Sequence, residues 1–440
     1  MSSTRGRQIG LLLGVNVLWL PLSMLFNSLQ SLVLPAFVLH LVPPAQKATM
    51  LGLLLFVGLA AGALVQPFVG AYSDRITVSP GSRWARWGRR QPLILVGLLL
   101  TLAFLAGFAF AGNLLLLGLA YLGINVGAGV AQAGTQGLMP DLVPTTQRGS
   151  ASGLKGLLEL SGSLVGFALA GALIKKGQSL GVLLAIGVLL VLGMLITFAL
   201  VREGRRAALL ASAAAPEMPV VVVGPASTLA QQAARERESL PLTASPPSGR
   251  SVFVRVLVSR FLFLFGVYGI GHFLLYYMGD RLHLTNAAAA TGGLLATLTL
   301  VTALVALGGG ILSDRVGRLP VIWAAGILSA AGAVLLIPAS SLLTIFLGGA
   351  VMGVGSGLFA SSNWALTADL TPKGTGGRHF GLLALATSGA AAVAGLLGPL
   401  VDAVGYNALV LAATLAFGLS VVVLPRAAAM AASIEVASAS

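Results

Sequence analysis

Two ionisable side chains interrupt long apolar stretches of this sequence and could carry a proton. Glu159 follows Lys155 by one helical turn, and His272 shares one helix face with Tyr268 and Tyr276. A carboxylate in hydrocarbon loses its hydration, and an imidazole titrates near neutral pH. We therefore predict that Glu159 and His272 couple to protons. A plain Lys155–Glu159 ion pair and a histidine bonded to a neighbouring helix stay open as alternatives.

Most of the other polar side chains in these apolar stretches carry no charge. They are amides, phenols and an indole, which bind the hydroxyl groups of a neutral solute such as a sugar or polyol. Each amide alone could equally join two helices. The predicted solute-binding residues are Asn27, Gln30, Asn125, Gln132, Gln136, Tyr268, His272, Tyr276, Asn363 and Trp364.

The elements that position these side chains are predicted to be membrane-spanning helices. Of the 440 residues, 57% are hydrophobic and 9% are charged, whereas roughly a quarter of a soluble domain is charged. Backbone groups in lipid must bond within their own segment, and a helical crossing needs about 20 apolar residues. The sequence thus excludes a soluble enzyme and predicts an all-α membrane protein. Twelve spans are predicted, roughly at 10–39, 50–73, 91–111, 114–138, 153–174, 180–201, 256–279, 288–312, 319–338, 341–367, 380–401 and 406–425.

The basic residues indicate how the spans are oriented. With the N-terminus inside, 22 of the 26 Lys and Arg residues fall on the cytoplasmic side, and Lys47, Lys175, Lys176 and Arg281 fall outside. Basic loops are retained in the cytoplasm, so we predict a multi-pass inner (plasma) membrane protein with both termini cytoplasmic. The net charge of +14 forms no basic face of the kind that binds nucleic acid.

The partners predicted from the sequence are a small solute, protons and membrane lipid, with the chain itself a monomer. The chain has no cysteine, which excludes disulfides and thiolate metal sites. No nucleotide-binding loop or metal-ligand cluster is recognisable, so neither a cofactor nor a metal is predicted.

A polar segment divides the chain into two halves. Residues 202–254 are rich in Ala, Pro, Ser and charged residues and cannot bury a core. We expect 1–201 to be an N-terminal six-helix half and 202–254 a mostly disordered cytoplasmic linker. Residues 255–428 would form the C-terminal half, and 429–440 a cytoplasmic tail.

The two halves contain an internal repeat. Segment 70–75 (GAYSDR) recurs as 310–315 (GILSDR), an offset of 240. After a loop that is 12 residues longer in the first copy, an offset of 228 relates Asp141 to Asp369. Because the matched loops lie on the same side of the membrane, the repeat is parallel and its axis follows the bilayer normal.

The repeated pattern Gly-x-x-x-Asp-Arg-x-Gly-Arg resembles the signature loop of the major facilitator superfamily. The basic loop from Ser73 to Pro92 and segment 132–142 (QAGTQGLMPDL) resemble its glycoside and sucrose/proton symporter branch. This resemblance implies alternating access with proton symport of a sugar or glycoside. Two departures are noted: Gln136 stands where plant sucrose carriers have Arg, and the aspartate that those carriers have near Tyr276 and Tyr277 is not matched at either position, the nearest one being Asp280.

Charged residues at the ends of the repeated helices are predicted to form a cytoplasmic gate. A motif aspartate can face a neighbouring helix N-terminus while the arginines engage carboxylates, and such contacts would bias the outward-open state. Asp141 is expected to pair with Arg148, and Asp369 with Arg378. The alternative is that these charges only set topology. The predicted gating residues are Asp74, Arg75, Arg89, Arg90, Asp141, Arg148, Asp314, Arg315, Arg318, Asp369 and Arg378.

Two other functions remain open from the sequence. One is proton-coupled efflux of a drug or metabolite, although antiporters of this superfamily carry a Gly-Pro motif in the fifth helix and segment 162–167 has no proline. The other is a sensor that binds solute without moving it.

Overall fold

All regular secondary structure in the described part of the chain is helical, as predicted. The structure, a computed structural model, describes residues 2–75, 87–144, 147–201, 247–371 and 376–424. The side chains of Asp74 and Arg378, both predicted gating residues, lie outside the described residues. Most of the predicted linker, 202–246, also lies outside them, and the seventh helix begins at Pro247, before the predicted linker end at 254.

Twelve helical elements follow one another in the described part of the chain. The first, α1, consists of Ser2–Asn16, Trp19–Ser28, a π turn at Leu29–Val33 and Leu34–Leu41. The others are α2 (Lys47–Arg75), α3 (Gln91–Ala109), α4 (Leu114–Leu142), α5 (Arg148–Lys175), α6 (Ser179–Leu200), α7 (Pro247–Leu282), α8 (Ala287–Val316), α9 (Arg318–Val334), α10 (Leu342–Asp369), α11 (Gly376–Gly395 with Gly398–Val404) and α12 (Tyr406–Val422). We call α1–α6 the N-terminal half and α7–α12 the C-terminal half.

Ten of these helices are long and apolar enough to cross a membrane by length and composition. Helices α9 and α12 have 17 residues each, which at about 1.5 Å per residue lies at the lower limit for a crossing. Many large apolar side chains, such as Phe68, Leu307 and Leu415, point outward and are exposed. An outward-facing apolar surface is what a lipid environment requires, so the chain is a multi-pass membrane protein.

The two ends of the helix bundle differ in their charges. One end carries Arg75, Arg89, Arg90 and Arg318, and we call it the arginine-rich face. The other end carries Lys47, Asp280 and Asp402, and we call it the opposite face.

Small residues bring the two halves into close contact near the opposite face. A Cβ built at Gly292 in α8 would lie 2.5 Å from the Phe167 carbonyl oxygen and 2.8 Å from Gly171 Cα, both in α5. At Gly395 in α11, a Cβ would lie 2.6 Å from the Gly52 carbonyl oxygen of α2. Only glycine permits backbones to approach this closely, so these positions allow the halves to close against each other.

Candidate functional site

A cavity with two adjoining lobes lies between the halves. The polar lobe has a volume of about 250 Å³ and the apolar lobe about 350 Å³. Asn27 of α1 and Tyr268 of α7 line both lobes, which makes them neighbours. Side chains from both halves line the cavity, so a relative movement of the halves would change its shape.

Six of the ten predicted solute-binding residues line this cavity. They come from the first, fourth, seventh and tenth helices, which the sequence could not show to be adjacent. Gln136 is exposed and lines neither lobe, although it follows Gln132 by one turn. The six are Asn27, Gln30, Asn125, Gln132, Tyr268 and Trp364.

The amides of the polar lobe are held by hydrogen bonds between helices. Gln66 Nε2 donates to Gln132 Oε1 at 2.9 Å, joining α2 to α4. Asn27 Nδ2 donates to Ser163 Oγ at 3.0 Å, joining α1 to α5. The same side chains therefore join helices and face the cavity, and their binding of a solute stays a prediction. Gln30 reaches the lobe from the π turn of α1, a wider turn that is frequent at functional sites.

Glu159 lines the polar lobe from α5 and is half-buried. Lys155 Nζ lies 3.6 Å from Glu159 Oε1 and 3.9 Å from the centroid of the Trp19 ring. The ion pair foreseen as a structural alternative is thus present, but it stands in the cavity wall. A carboxylate placed there borders the space that a solute would enter, so it stays the predicted proton-coupling residue.

His272 is buried and lines neither lobe. Its ring packs 5.8 Å from the ring of Tyr268, and neither ring nitrogen has a hydrogen-bond partner among the described residues. The structure therefore brings Glu159 to the cavity but not His272.

Tyr276, a predicted solute ligand, belongs instead to the opposite face. Its hydroxyl donates to the Pro35 carbonyl oxygen at 3.0 Å, and Lys47 Nζ lies 5.2 Å above its ring. The helical spacing placed Tyr268 and Tyr276 correctly on one face, but eight residues separate them by about 12 Å along the axis. That depth takes Tyr276 beyond the cavity.

Arg260 contradicts the expectation of a cavity without fixed positive charge. The charge distribution predicts it to lie in a cytoplasmic loop, yet it lies inside α7, is 9% exposed and lines the apolar lobe. Its Nη1 donates to Asn363 Oδ1 at 2.8 Å and its Nε to Thr387 Oγ1 at 3.1 Å. Asn363, also a predicted solute ligand, is buried behind this contact and lines neither lobe. The sequence could have indicated this position, because residue 260 falls within the predicted span 256–279.

A network of charged groups joins the halves at the opposite face. Lys47 Nζ lies 2.6 Å from the Asp280 carboxylate, and the Tyr406 hydroxyl donates to the same carboxylate at 2.5 Å. Asp402 accepts hydrogen bonds from the backbone N–H groups of Ala48 at 3.2 Å and Thr49 at 2.7 Å, at the start of α2. A carboxylate at a helix N-terminus is favoured by the unpaired N–H groups and the helix dipole.

We expect Asp280→Asn to weaken this closure. Lys47 is 9% exposed, so removal of its partner leaves a poorly solvated charge and should shift the equilibrium towards opening roughly tenfold. The shift can be measured as a longer distance between spin labels attached to Lys176→Cys and Asn286→Cys. The double variant Lys47→Met with Asp280→Asn should recover most of the closure. An Asp280→Asn protein with unchanged distances would show that the pair contributes nothing to it.

The ion pairs at the arginine-rich face lie within each half. Arg89 Nη2 and Arg90 Nε each lie 2.9 Å from the carboxylate of Asp141. In the second half, Arg318 Nε lies 3.2 Å from Asp369 Oδ2, and its Nη1 contacts Asp314. The repeat therefore relates Arg90–Asp141 to Arg318–Asp369 in structure as well as in sequence.

The expected pairing of Asp141 with Arg148 is not formed. Arg148 begins α5, and its guanidinium donates to the carbonyl oxygens of Pro140 at 3.1 Å and Val143 at 3.4 Å. These carbonyls are at the C-terminal end of α4, where a cation is favoured. Arg75 and Arg315 are exposed.

The hydrogen bonds found between the halves in the described part of the chain cluster at one end of the bundle. Among the described residues, all hydrogen bonds that join the halves lie at the opposite face. At the arginine-rich face, the described hydrogen bonds and ion pairs stay within one half. The cavity is thus closed on the side of Lys47 and Asp280.

Solved structures with the same fold cover almost the entire chain. A bacterial homologue of the human lysosomal transporter Spinster, in an inward-facing and unoccupied conformation, has a TM-score of 0.63 and 14% identity and covers 99% of this chain and 98% of its own. A D-xylose-proton symporter has a TM-score of 0.66 and 16% identity, covering 95% and 97%. A nucleoside transporter has a TM-score of 0.61 and 13% identity, and the match covers 96% of this chain and 99% of the transporter. At these identities the likeness shows the fold alone.

A sequence match to a protein family is more informative than these structural similarities. No curated protein sequence matches the chain significantly. Residues 18–298 and 256–432 match the family described as Major Facilitator Superfamily. This family match covers nearly the whole chain, so the protein belongs to the Major Facilitator Superfamily of transporters.

Proposed function

We propose that this transporter is a secondary carrier that moves a small polar solute by alternating access with proton symport. The observation that supports this most is a cavity lined by both halves, with Glu159 in its wall and with the cross-half hydrogen bonds of the described residues at the opposite face. In such a carrier the halves rock about a central site, and the closed end alternates. Glu159 would be the group that binds the proton.

The distribution of basic residues supports an arginine-rich face on the cytoplasmic side of the plasma membrane, with both termini on that same side. In this orientation the end that is held together by the cross-half hydrogen bonds would face the outside. The Spinster homologue, which is described as inward-facing and unoccupied, has the same fold. Residues 1–201 and 255–428 would then be the two moving halves.

We assign the arginine–carboxylate pairs of the arginine-rich face a gating role, although they do not join the two halves directly. Each pair ties the ends of adjacent helices within a half, which keeps that half rigid as it rocks. When the cytoplasmic end closes, the same arginines become available to carbonyls and carboxylates of the other half. The motif residues Asp74, Arg75 and Asp314 would take part in that exchange.

We expect Asp141→Asn to slow transport about tenfold, the effect of about 1.4 kcal/mol, because Arg89 and Arg90 would lose their shared charged partner. Solute affinity should stay near that of the wild type, since Asp141 lies outside the cavity lining. Initial uptake rates and equilibrium binding on the same preparation test this. Asp369→Asn should give a similar loss through Arg318, and Arg148→Gln a smaller one. Lost binding with an intact rate would contradict the gating role.

The class of solute can be narrowed by the lining. The amides of the polar lobe suit a sugar or glycoside, as the resemblance to the glycoside and sucrose symporters implies, and one structural neighbour is a D-xylose-proton symporter. A second candidate is proton antiport of an apolar drug or metabolite. It is favoured by the apolar lobe, where Phe263 and Phe359 stack at 3.8 Å.

Uptake into energised vesicles tests the proposal and separates these candidates. An imposed proton gradient should drive accumulation of the solute, and an uncoupler should abolish that accumulation. Extrusion driven by the gradient would indicate antiport instead. Solute binding without movement in either direction would overturn the proposal in favour of a sensor.

A further inference from the structure

We propose that Arg260 forms the subsite for a carboxylate, so that the transported solute is a hydroxylated organic acid such as a sugar acid rather than a neutral sugar. This inference rests on the proposed carrier function and specifies the chemical class of its solute. It is drawn from the place of one buried cation in the cavity wall.

The position of Arg260 requires an explanation because a guanidinium is costly to place inside a membrane protein. Charged side chains in membrane-spanning segments face the bundle interior and normally pair with an opposite charge. Arg260 has no such partner among the described residues: it contacts the neutral oxygens of Asn363 and Thr387 and the face of the Trp364 ring, 5.8 Å away. A cation held by neutral groups keeps its full charge for a ligand.

The geometry of these contacts presents the guanidinium to the apolar lobe. A guanidinium has five N–H groups, and the two hydrogen bonds occupy one on Nε and one on Nη1. Both terminal nitrogens thus retain N–H groups. Two terminal nitrogens bind a carboxylate in a bidentate manner, an arrangement that Arg favours over Lys. Asn363 and Thr387 come from α10 and α11 and fix the orientation of the side chain.

The rest of the cavity suits the hydroxyl groups of the same molecule. Asn27 and Tyr268 line both lobes, so a solute anchored at Arg260 extends past them towards the amides of the polar lobe. These amides both donate and accept hydrogen bonds, which matches hydroxyl groups. One end of the site is therefore cationic, and the other is lined by amides together with Glu159, whose charge is paired with Lys155.

The main alternative explanation for Arg260 is that it serves as the countercharge of Glu159. Glu159 lines the polar lobe, Arg260 lines the apolar lobe, and Tyr268 lies at their junction. In the structure Glu159 is paired with Lys155 at 3.6 Å rather than with Arg260. If Arg260 served only as a countercharge for Glu159 in another conformation, removing both charges together would restore function.

Binding to the purified full-length protein in lipid nanodiscs tests the proposal with matched probes. D-gluconate, D-glucuronate and D-galacturonate are compared with their neutral partners D-glucitol, D-glucose and D-galactose, by thermal shift and calorimetry. We expect at least one acid to bind about tenfold to a hundredfold more tightly than its neutral partner, the range of a charge-assisted hydrogen-bond pair. Arg260→Gln should remove that preference and Arg260→Lys should retain part of it. Arg255→Gln, an exposed position on the same helix, is the matched control.

The outcomes separate this inference from the carrier function. Equal binding of every acid and its neutral partner, or an acid preference that survives in Arg260→Gln, would overturn the carboxylate subsite. Restoration of uptake in Arg260→Gln by Glu159→Gln would do the same in favour of a countercharge. Proton-driven uptake of a neutral sugar alone would refute the subsite and leave the carrier intact. Acid binding that depends on Arg260 without any uptake would support the subsite and refute the carrier.

Discussion

Replacement of Glu159 by glutamine is expected to abolish proton-driven accumulation while solute exchange across the membrane continues. Glutamine keeps the size and most hydrogen bonds of the side chain but cannot bind and release a proton. Glu159 lines the polar lobe, so its loss should uncouple the solute from the proton gradient without emptying the binding site. In proteoliposomes, accumulation should fall to the level without a gradient, at least about a tenfold loss. Counterflow of labelled solute should remain within about threefold of the wild type.

Two comparisons make this prediction specific. Lys155→Met removes the partner at 3.6 Å and should alter the pH dependence of uptake, because a nearby cation favours the charged carboxylate, while accumulation persists. Glu236→Gln, in the polar segment between the halves, should change neither assay. If Glu159→Gln still accumulates solute against a gradient, the Lys155–Glu159 pair is structural and another group carries the proton.

Replacement of Gly292 by valine is expected to prevent closure of the opposite face and to stop transport. A Cβ at this position would lie 2.5 Å from the Phe167 carbonyl oxygen, so α5 and α8 would have to separate. Such overpacking costs about 1–3 kcal/mol, which shifts the conformational equilibrium by roughly fivefold to 150-fold. Spin labels at Lys176→Cys and Asn286→Cys, on the facing ends of these helices, should report a longer distance.

The control for this variant lies on the same helix. A Cβ at Gly308 would meet no atom within 4 Å, so Gly308→Val adds the same volume to α8 without separating it from α5. It should transport like the wild type. An unchanged distance in Gly292→Val, with normal uptake, would show that close approach at this glycine is not needed for closure.

The helices and their number could be predicted from the sequence because the lipid environment leaves few alternatives. Apolar runs of span length must be helical, and their count needs no knowledge of tertiary contacts. The duplicated segments 70–75 and 310–315 added the relation between the halves, and the pairs Arg90–Asp141 and Arg318–Asp369 now show it in three dimensions. These features depend on short stretches of sequence alone.

The site was predicted less completely, because depth and neighbours along a helix are tertiary properties. Periodicity placed Tyr268 and Tyr276 on one face but could not show that the second lies beyond the cavity. The Lys47–Asp280 pair joins residues 233 positions apart, and no local pattern connects them. The position of Arg260 was predicted wrongly for another reason. Basic residues usually lie in loops, but this one lies within a membrane-spanning segment.

Accessibility of a single cavity position from each side of the membrane tests alternating access most directly. The chain has no cysteine, and Ala391 lines the polar lobe, so Ala391→Cys provides one reactive site for a membrane-impermeant thiol reagent. Without solute it should react from the side of the arginine-rich face alone, and addition of Gly292→Val should transfer reactivity to the other side. Reaction from both sides at once, as in a channel, or the same one-sided reaction in both proteins would contradict the account.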